Sequence, residues 1–314
     1  MSSPILVTGA AGFAGSHLLE LLGDEATAGR VLAWHRPGGT PPVGAMHAAW
    51  SAVDLLNKDA VDRAIAGVRP ALVYHCAGAA HVGRSWGSTE ATLAINVRGT
   101  HHVLDSLRRH RTGSIVMIPS SAMVYRPAEE ALTEDHPIVP ASPYAVSKLA
   151  QELLSARSIP DGLDVRIARP FNHLGPRQDP LFVASGWARR IADIEAGRWA
   201  PEIAVGNLDA RRDSTDVRDT VRAYRVIAER GRTGRPYNVC SGQAVMMGDL
   251  LDMLLAKARV PIRVRVDPAR LRPNDVPLLV GDRTRITTEL GWTPEIPLAQ
   301  TLDDLLAYWR RKAE

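Results

Sequence analysis

Residues 5–15 read ILVTGAAGFAG: an apolar run, then glycines at positions 9, 12 and 15, then the start of a helical pattern. A glycine-punctuated turn between a buried strand and a helix constrains a chain strongly. Glycine lets the backbone turn tightly and approach another backbone or an anion closely. The N-terminus of the following helix offers N–H groups and the positive end of its dipole to that anion. Gly9, Gly12 and Gly15 are spaced GxxGxxG. Their place after the first strand and before the first helix points to a bound dinucleotide pyrophosphate rather than to close packing alone.

The next 150 residues keep to the same alternation. Apolar runs at 30–35 (RVLAWH), 70–78 (PALVYHCAG), 114–120 (SIVMIPS) and 163–170 (LDVRIARP) predict strands. Helical spacing occupies 14–24, 59–68, 89–110 and 142–158. Continuous apolar strands alternating with amphipathic helices predict a parallel sheet covered on both faces, the doubly wound α/β class. Ligands of such sheets sit at the carboxyl ends of the strands. After Pro170 the regularity breaks, and FNHLGPRQDPLF and RWAPEIAVGNLDARRD are turn-rich. Helical patterns return at 217–231, at 245–260 and at the C-terminus. We expect a dinucleotide-binding domain over 1–170, with a return segment at about 214–240. A smaller α/β substrate lobe is expected from 171–213 and 241–314.

Composition removes other classes. The net charge of +4 comes from scattered arginines and forms no basic stripe, so no nucleic-acid partner is expected. No apolar run reaches membrane-spanning length, and the N-terminus has no secretory signal pattern. Cys76 and Cys240 lie apart in apolar runs and read as buried thiols of a reducing, cytoplasmic compartment.

The end of the second strand bears on which dinucleotide. A carboxylate there would bind a ribose 2′-OH, whereas this chain has His35 and Arg36. An arginine suits a 2′-phosphate, so NADP(H) is favoured, with NAD(H) possible. Asp54 either accepts from an adenine amino group or caps the following helix. In SPYAVSK, Tyr144 and Lys148 stand at i and i+4 on one helix face. A neighbouring ammonium lowers a phenol's pKa, so the pair can exchange a proton with a carbonyl or alcohol oxygen. Ser121, at the end of SIVMIPS and its following serine, is placed to hydrogen-bond that oxygen. Lysine is scarce here, at positions 58, 148, 257 and 312 only, which makes its place after Tyr144 more telling.

Together, TGAAGFAGSHL, DLLN, HCAG, NVRGT, SSAMVY, SPYAVSK and RPFNHLGP resemble the extended short-chain dehydrogenase/reductases, essentially from end to end. RPFNHLGPRQ, GNLDARRDSTDVRDTVRAY, YNVCSG, RPNDVPLLVGDRTRI and LGWTPEIPL look like the GDP-sugar branch of that superfamily. The branch holds GDP-mannose 4,6-dehydratases and GDP-4-dehydro-6-deoxy-D-mannose reductases, and RPNDVP and FNHLGP look more like the reductases. The resemblance implies Ser121, Tyr144 and Lys148 as catalytic residues. It implies cofactor contacts from Gly9, Gly12, Phe13, Ala14, Gly15, His35, Arg36, Asp54, Leu55, Ala77, Ala79, Phe171 and His173, besides Tyr144 and Lys148. It implies nucleotide-sugar contacts from Ser85, Ser121, Asn172, Val183, Gly206, Arg212, Arg272 and Asp275. Arginine forks suit a diphosphate and a carboxylate suits a ribose diol. A homodimer is implied too, packed through the helices that carry Asn96 and Tyr144. No metal is implied.

One position separates the branch's two reactions. The dehydratases oxidise C4, remove water across C5 and C6, and return the hydride at C6. In them a glutamate two residues after the catalytic hydroxyl serves the elimination. Here that residue is Met123, preceded by Ala122. Neither moves a proton, which leaves reduction of a 4-keto-6-deoxy sugar, most simply to GDP-D-rhamnose, as the expected reaction. A dehydratase or epimerase working without the glutamate stays open, as does a heptose substrate. Arg84, Gly186 and the absence of a glycine after Tyr125 depart from the branch's pattern and bear on the sugar.

Overall fold

The computed structural model describes residues 4–23, 31–41, 48–271 and 276–314. The chain runs β1 (Ile5–Thr8), α1 (Phe13–Gly23), β2 (Val31–His35), β3 (Ala49–Ala52), α2 (Lys58–Val68), β4 (Leu72–His75), α3 (Val82–Gly87), α4 (Thr89–Leu93), α5 (Thr100–Arg109), β5 (Ile115–Pro119), α6 (Pro143–Arg157) and β6 (Asp164–Pro170). A π-helical stretch, Ala94–Gly99, joins α4 to α5, so the long helix expected at 89–110 is continuous but widened in its middle. Then follow β7 (Asn172–Leu174), α7 (Val183–Glu195), β8 (Glu202–Val205), β9 (Arg211–Asp216), α8 (Val217–Arg230), β10 (Pro236–Val239), β11 (Ala244–Met246), α9 (Met247–Leu255), β12 (Arg263–Val266), β13 (Leu278–Leu279), α10 (Thr284–Leu290) and α11 (Leu298–Ala313).

Seven strands form one parallel sheet in the order β10-β6-β5-β4-β1-β2-β3. The order reverses between β1 and β4, which opens a crevice above their carboxyl ends. Both faces are covered, as the continuous apolar strands require. One face packs Val7, Tyr74 and Met117 against Leu18, Leu19, Tyr224 and Ile227 of α1 and α8. The other packs Leu6, Val73, Val116 and Ile118 against Val61, Ile65, Val103 and Leu107 of α2 and α5.

The second lobe is built on β9, which pairs with β7, β11 and β13, and on the parallel pair β8–β12. Its own core joins Trp187 and Ile191 of α7, Leu250 and Leu254 of α9, and Leu302 and Leu305 of α11. Two stretches differ from expectation. The turn-rich 198–213 carries β8 and the start of β9, and 183–195 is a full helix. Within the return segment, β9 belongs to the small sheet, while α8 and β10 rejoin the large one. Helix α10 packs there as well, since Ile286, Leu290 and Trp292 share the core of Leu18 and Tyr224. We propose that the first lobe comprises residues up to 170, 217–239 and 284–292.

A buried ion pair fixes α6 to β6. Arg169 donates to both oxygens of Glu152, at 3.0 and 2.8 Å, and also to the Tyr125 hydroxyl at 3.0 Å. Tyr125 in turn donates to Asn238 Oδ1 at 2.7 Å. Removing one partner of such a pair leaves an uncompensated buried charge. Glu152→Ala is therefore expected to lower the urea-unfolding free energy by about 3–5 kcal/mol. A loss under about 1 kcal/mol, the range of exposed pairs, would contradict that role.

Candidate active site

The glycine turn is shaped by contacts that admit no side chain. Gly9 has φ of 65°, and a Cβ on it would lie 2.6 Å from the backbone of Ala77. A Cβ on Gly15 would lie 2.3 Å from Gly9 O, and one on Gly12 at 3.1 Å from the same oxygen. The loops after β1 and β4 thus touch through bare backbone, and α1 begins at Phe13 just beyond. Such a bare-backbone cradle at a helix N-terminus is of the kind that suits a pyrophosphate. His35 ends β2 with its Nδ1 2.9 Å from Arg36 O, and Arg36 is exposed at the rim of the crevice. Asp54 does not cap α2, as Asn57 does that by accepting from Ala60 N at 3.0 Å. Asp54 instead closes the preceding turn, accepting from Leu56 N at 2.9 Å. Leu55 is buried and its carbonyl binds His102 Nδ1 at 2.7 Å.

Ala77 donates its N–H to Thr8 Oγ1 at 3.4 Å, whereas Ala79 is held by a residue that sequence reasoning placed only on the dimer helix. Asn96, in the π-helical stretch, accepts from Ala79 N at 2.7 Å and donates to Ala79 O at 3.1 Å. It also donates to Ser147 Oγ on α6 at 2.8 Å. A single buried amide so ties the β4 loop to α6.

Ser121, Tyr144 and Lys148 come together at the carboxyl ends of β5 and β6. Ser121 caps the short turn Ala122–Val124, accepting from Met123 N at 3.2 Å. Ser142 caps α6, accepting from Ala145 N at 3.1 Å, and Pro143 starts it, which presents Tyr144 in the first turn. Burial raises the Tyr144 pKa above its usual value, and a hydrogen bond with Ser121 pulls it partly back. This differs from the expected lowering by Lys148. The ammonium is engaged elsewhere, donating to Pro119 O and to Gln151 Oε1, the latter at 2.5 Å. Burial brings Lys148 itself down to about 8. Met123 is half-buried beside Ala122 and Val124, so no ionisable group follows Ser121 in this turn.

The other predicted residues divide. Phe13 stacks on His173 with ring centres 5.6 Å apart and planes 7° apart. Burial holds His173 below the ordinary histidine pKa, so it is neutral near pH 7. Phe171 is buried in the cluster of Ala122 and Cys240, its ring lies against Gly281, and its N–H is taken by Val239 O. Ser85 is buried and its hydroxyl is spent internally, donating to Val82 O at 2.6 Å and accepting from Tyr144 N at 3.2 Å. It braces the tyrosine rather than offering a free group. Across the crevice, Asn172 and Val183 are exposed at the start of β7 and α7. Arg212 on β9 donates to Arg211 O at 3.0 Å. Gly206 admits the Arg270 backbone at a distance a Cβ would fill. Gly186 does the same for Pro180 O, at 2.6 Å from a Cβ, so a basic side chain has no room there. Arg272 and Asp275 lie outside the described residues. The lobes meet at His81, which caps α3 by accepting from Arg84 N at 3.1 Å and reaches Leu181 O at 3.2 Å. Among the described residues no cluster of metal-ligating side chains occurs.

Comparison with known proteins follows the same lines. The family described as GDP-mannose 4,6 dehydratase matches residues 6–305. A GDP-6-deoxy-D-mannose reductase of Pseudomonas aeruginosa is 35% identical, over 99% of this chain and 99% of its own. A dTDP-glucose 4,6-dehydratase of Streptomyces griseus is 33% identical, over 99% of this chain and 95% of its own. The structure of RMD from Pseudomonas aeruginosa complexed with NADPH superposes with a TM-score of 0.86 at 32% identity, covering 99% of this chain and 100% of that one.

The cradle makes a graded prediction. Gly15→Ala forces its Cβ onto Gly9 O and is expected to abolish dinucleotide binding, read by quenching of tryptophan fluorescence. Gly12→Ala, with more room, is expected to weaken binding without abolishing it. Equal, near-native affinities in both variants would contradict the cradle.

Proposed function

The chain belongs to the GDP-mannose 4,6 dehydratase family of extended short-chain dehydrogenase/reductases, and we propose that it reduces a GDP-4-keto-6-deoxy sugar with NADPH. The preferred substrate is GDP-4-dehydro-6-deoxy-D-mannose and the product GDP-D-rhamnose. The observation that carries this reading is the turn after Ser121. It presents a hydroxyl to a tyrosine held as the neutral phenol, and a methionine where elimination would need an acid or base. A bound NADPH supplies the hydride to C4. Tyr144 donates its proton to the oxyanion formed there, and Ser121 hydrogen-bonds the same oxygen and steadies its charge. Lys148, one helical turn beyond Tyr144, would hold the cofactor ribose.

The residues that would hold the cofactor fit it. Gly9, Gly12, Phe13, Ala14 and Gly15 line the cradle, Ala77 and Ala79 face it, and Arg36 suits the 2′-phosphate. RMD, at 32% identity, is complexed with NADPH, which supports that preference. Asn172, Val183, Gly206 and Arg212 are the residues for the nucleotide-sugar, joined by Arg272 and Asp275. The dehydratases among the relatives fit a chain whose scaffold is shared and whose proton-transfer groups differ.

A homodimer and a cytoplasmic place complete the proposal. Both cysteines are free, and no helix among the described residues is long and apolar enough to cross a membrane. Trp86, Val146 and Leu153, on α3 and α6, expose 63%, 45% and 63% of their surface. Trp86, Leu93, Pro140 and Val146 line a hollow of about 370 Å³. A second copy packed through these helices would cover them.

NADPH oxidation with GDP-4-keto-6-deoxy-D-mannose is expected, and GDP-mannose alone should give none. Tyr144→Phe should lower kcat by about a hundredfold or more. Consumption of GDP-mannose without added dehydratase would overturn the role given to Met123. Leu153→Glu is expected to turn the dimer into a monomer in sedimentation, and an unchanged mass would reject this interface.

A further inference from the structure

The Lys148 ammonium is the least conventional group in the site, because it is buried and carries no carboxylate of its own. Its acceptors are Pro119 O and Gln151 Oε1. We infer that Gln151 is a positioning residue, an uncharged tether that holds the lysine at the end of β5 and sets its charge state. This rests on the reductase reading of Tyr144 and Lys148.

The hydrogen bonds run in one direction only. An ammonium has donors and no acceptors, so the Gln151 amide oxygen must face it. The amide nitrogen then points to Thr100 Oγ1 at 2.8 Å. The single hydroxyl hydrogen of Thr100 goes to Asn96 O at 2.6 Å, in the π-helical stretch. Its remaining capacity accepts from Gln151 and from His75 Nε2, at 2.9 Å. His75 must therefore carry its hydrogen on Nε2, and its Nδ1 accepts from Thr8 Oγ1 at 2.9 Å. Thr8 immediately precedes Gly9. The string thus runs from the catalytic lysine to the glycine turn. Gln151 and Thr100 are fully buried, and His75 nearly so.

The charges facing Lys148 support an uncharged tether. Glu152, the next residue on α6, is bound bidentately by Arg169 of β6. From β4 and its loop come His75 and Cys76, both neutral: burial, then the lysine's own charge, lowers His75 to about 3, and burial raises Cys76 to about 12. Tyr144 on α6 is a phenol. The string of neutral groups leaves the ammonium's charge uncancelled. A carboxylate at 151 would pair with it and hold it in the charged form. An apolar side chain would leave it with Pro119 O alone.

The chain has four lysines, at 58, 148, 257 and 312, so Lys148 can be followed by NMR of ¹³C-labelled lysine and assigned with Lys148→Arg. Gln151→Glu is expected to raise the Lys148 midpoint by about one pH unit or more, and Gln151→Leu to lower it. Thr100→Val, which removes the anchor and keeps Gln151, should fall between the wild type and Gln151→Leu. In turnover, Gln151→Leu should lose about tenfold in kcat at pH 8 with an unchanged keto-sugar KM, and recover at pH 6 where Lys148 is charged. Midpoints equal to the wild type in both Gln151 variants, or a kcat loss independent of pH, would overturn the inference. The titration needs no substrate. A wild type that fails to oxidise NADPH with every keto sugar offered would sink the reductase reading alone, and the tether would still be decided by the midpoints.

Discussion

Two cations out of water organise helix α6. Lys148 and Arg169 are 8% and 7% exposed. A buried charge is tolerable only when every donor finds an acceptor. Helix α6 supplies acceptors to both from successive residues, Gln151 for the lysine and Glu152 for the arginine. The arginine also lies over the Tyr125 ring, 4.9 Å from its centre, and donates to its hydroxyl and to Glu134 O. Satisfying these two groups draws in β6, β10 through Asn238, the loop at 132–134 and the π-helical stretch. Tyr144, at the start of the same helix, inherits a fixed position without making any of those bonds through its own hydroxyl.

How far the sequence reveals this depends on whether the cause is local. The strands and helices up to Pro170 follow from local apolar periodicity. The Tyr144–Lys148 pair follows from helical spacing, and the glycine turn from its place between strand and helix. Helix α7 is harder to read because its N-cap, Phe182, makes no side-chain capping bond and Gly186 interrupts its first turns. Strand β8 is four residues long and pairs with β12, about sixty residues later, a partner that no local pattern announces. Asn96, Thr100, Gln151 and His75 are unremarkable along the chain. They become a single string only when β4, α5 and α6 are packed side by side. A signal was present nonetheless, since a glutamine three residues after a scarce lysine shares its helix face.

Family likeness transfers positions more safely than roles. Phe171 and Ser85 occupy the expected places, yet their polar groups are committed within the protein, to Val239 and to the backbone at Val82 and Tyr144. The missing basic residue at Gly186 has a steric cause, the approach of Pro180 O, and need not signal a different sugar. The stacking of Phe13 on His173 joins the glycine helix to the first strand of the second lobe. Both walls of the crevice therefore meet beside the place where a nicotinamide would lie.

The electrostatics also favour one direction of chemistry. Oxidising an alcohol calls for a base at its hydroxyl, and a dehydratase must begin with that step. Reducing a ketone calls for an acid at its oxygen. Burial disfavours the phenolate of Tyr144, and Ser121 offsets this only in part. Lys148, the cation able to stabilise a phenolate, is drawn to Pro119 O and Gln151. Near pH 7 Tyr144 is therefore the neutral phenol. With Met123 beside Ser121, this turn offers no second group to take a proton from C5. Reduction at C4 needs no such group, and one phenol and one hydroxyl suffice for it.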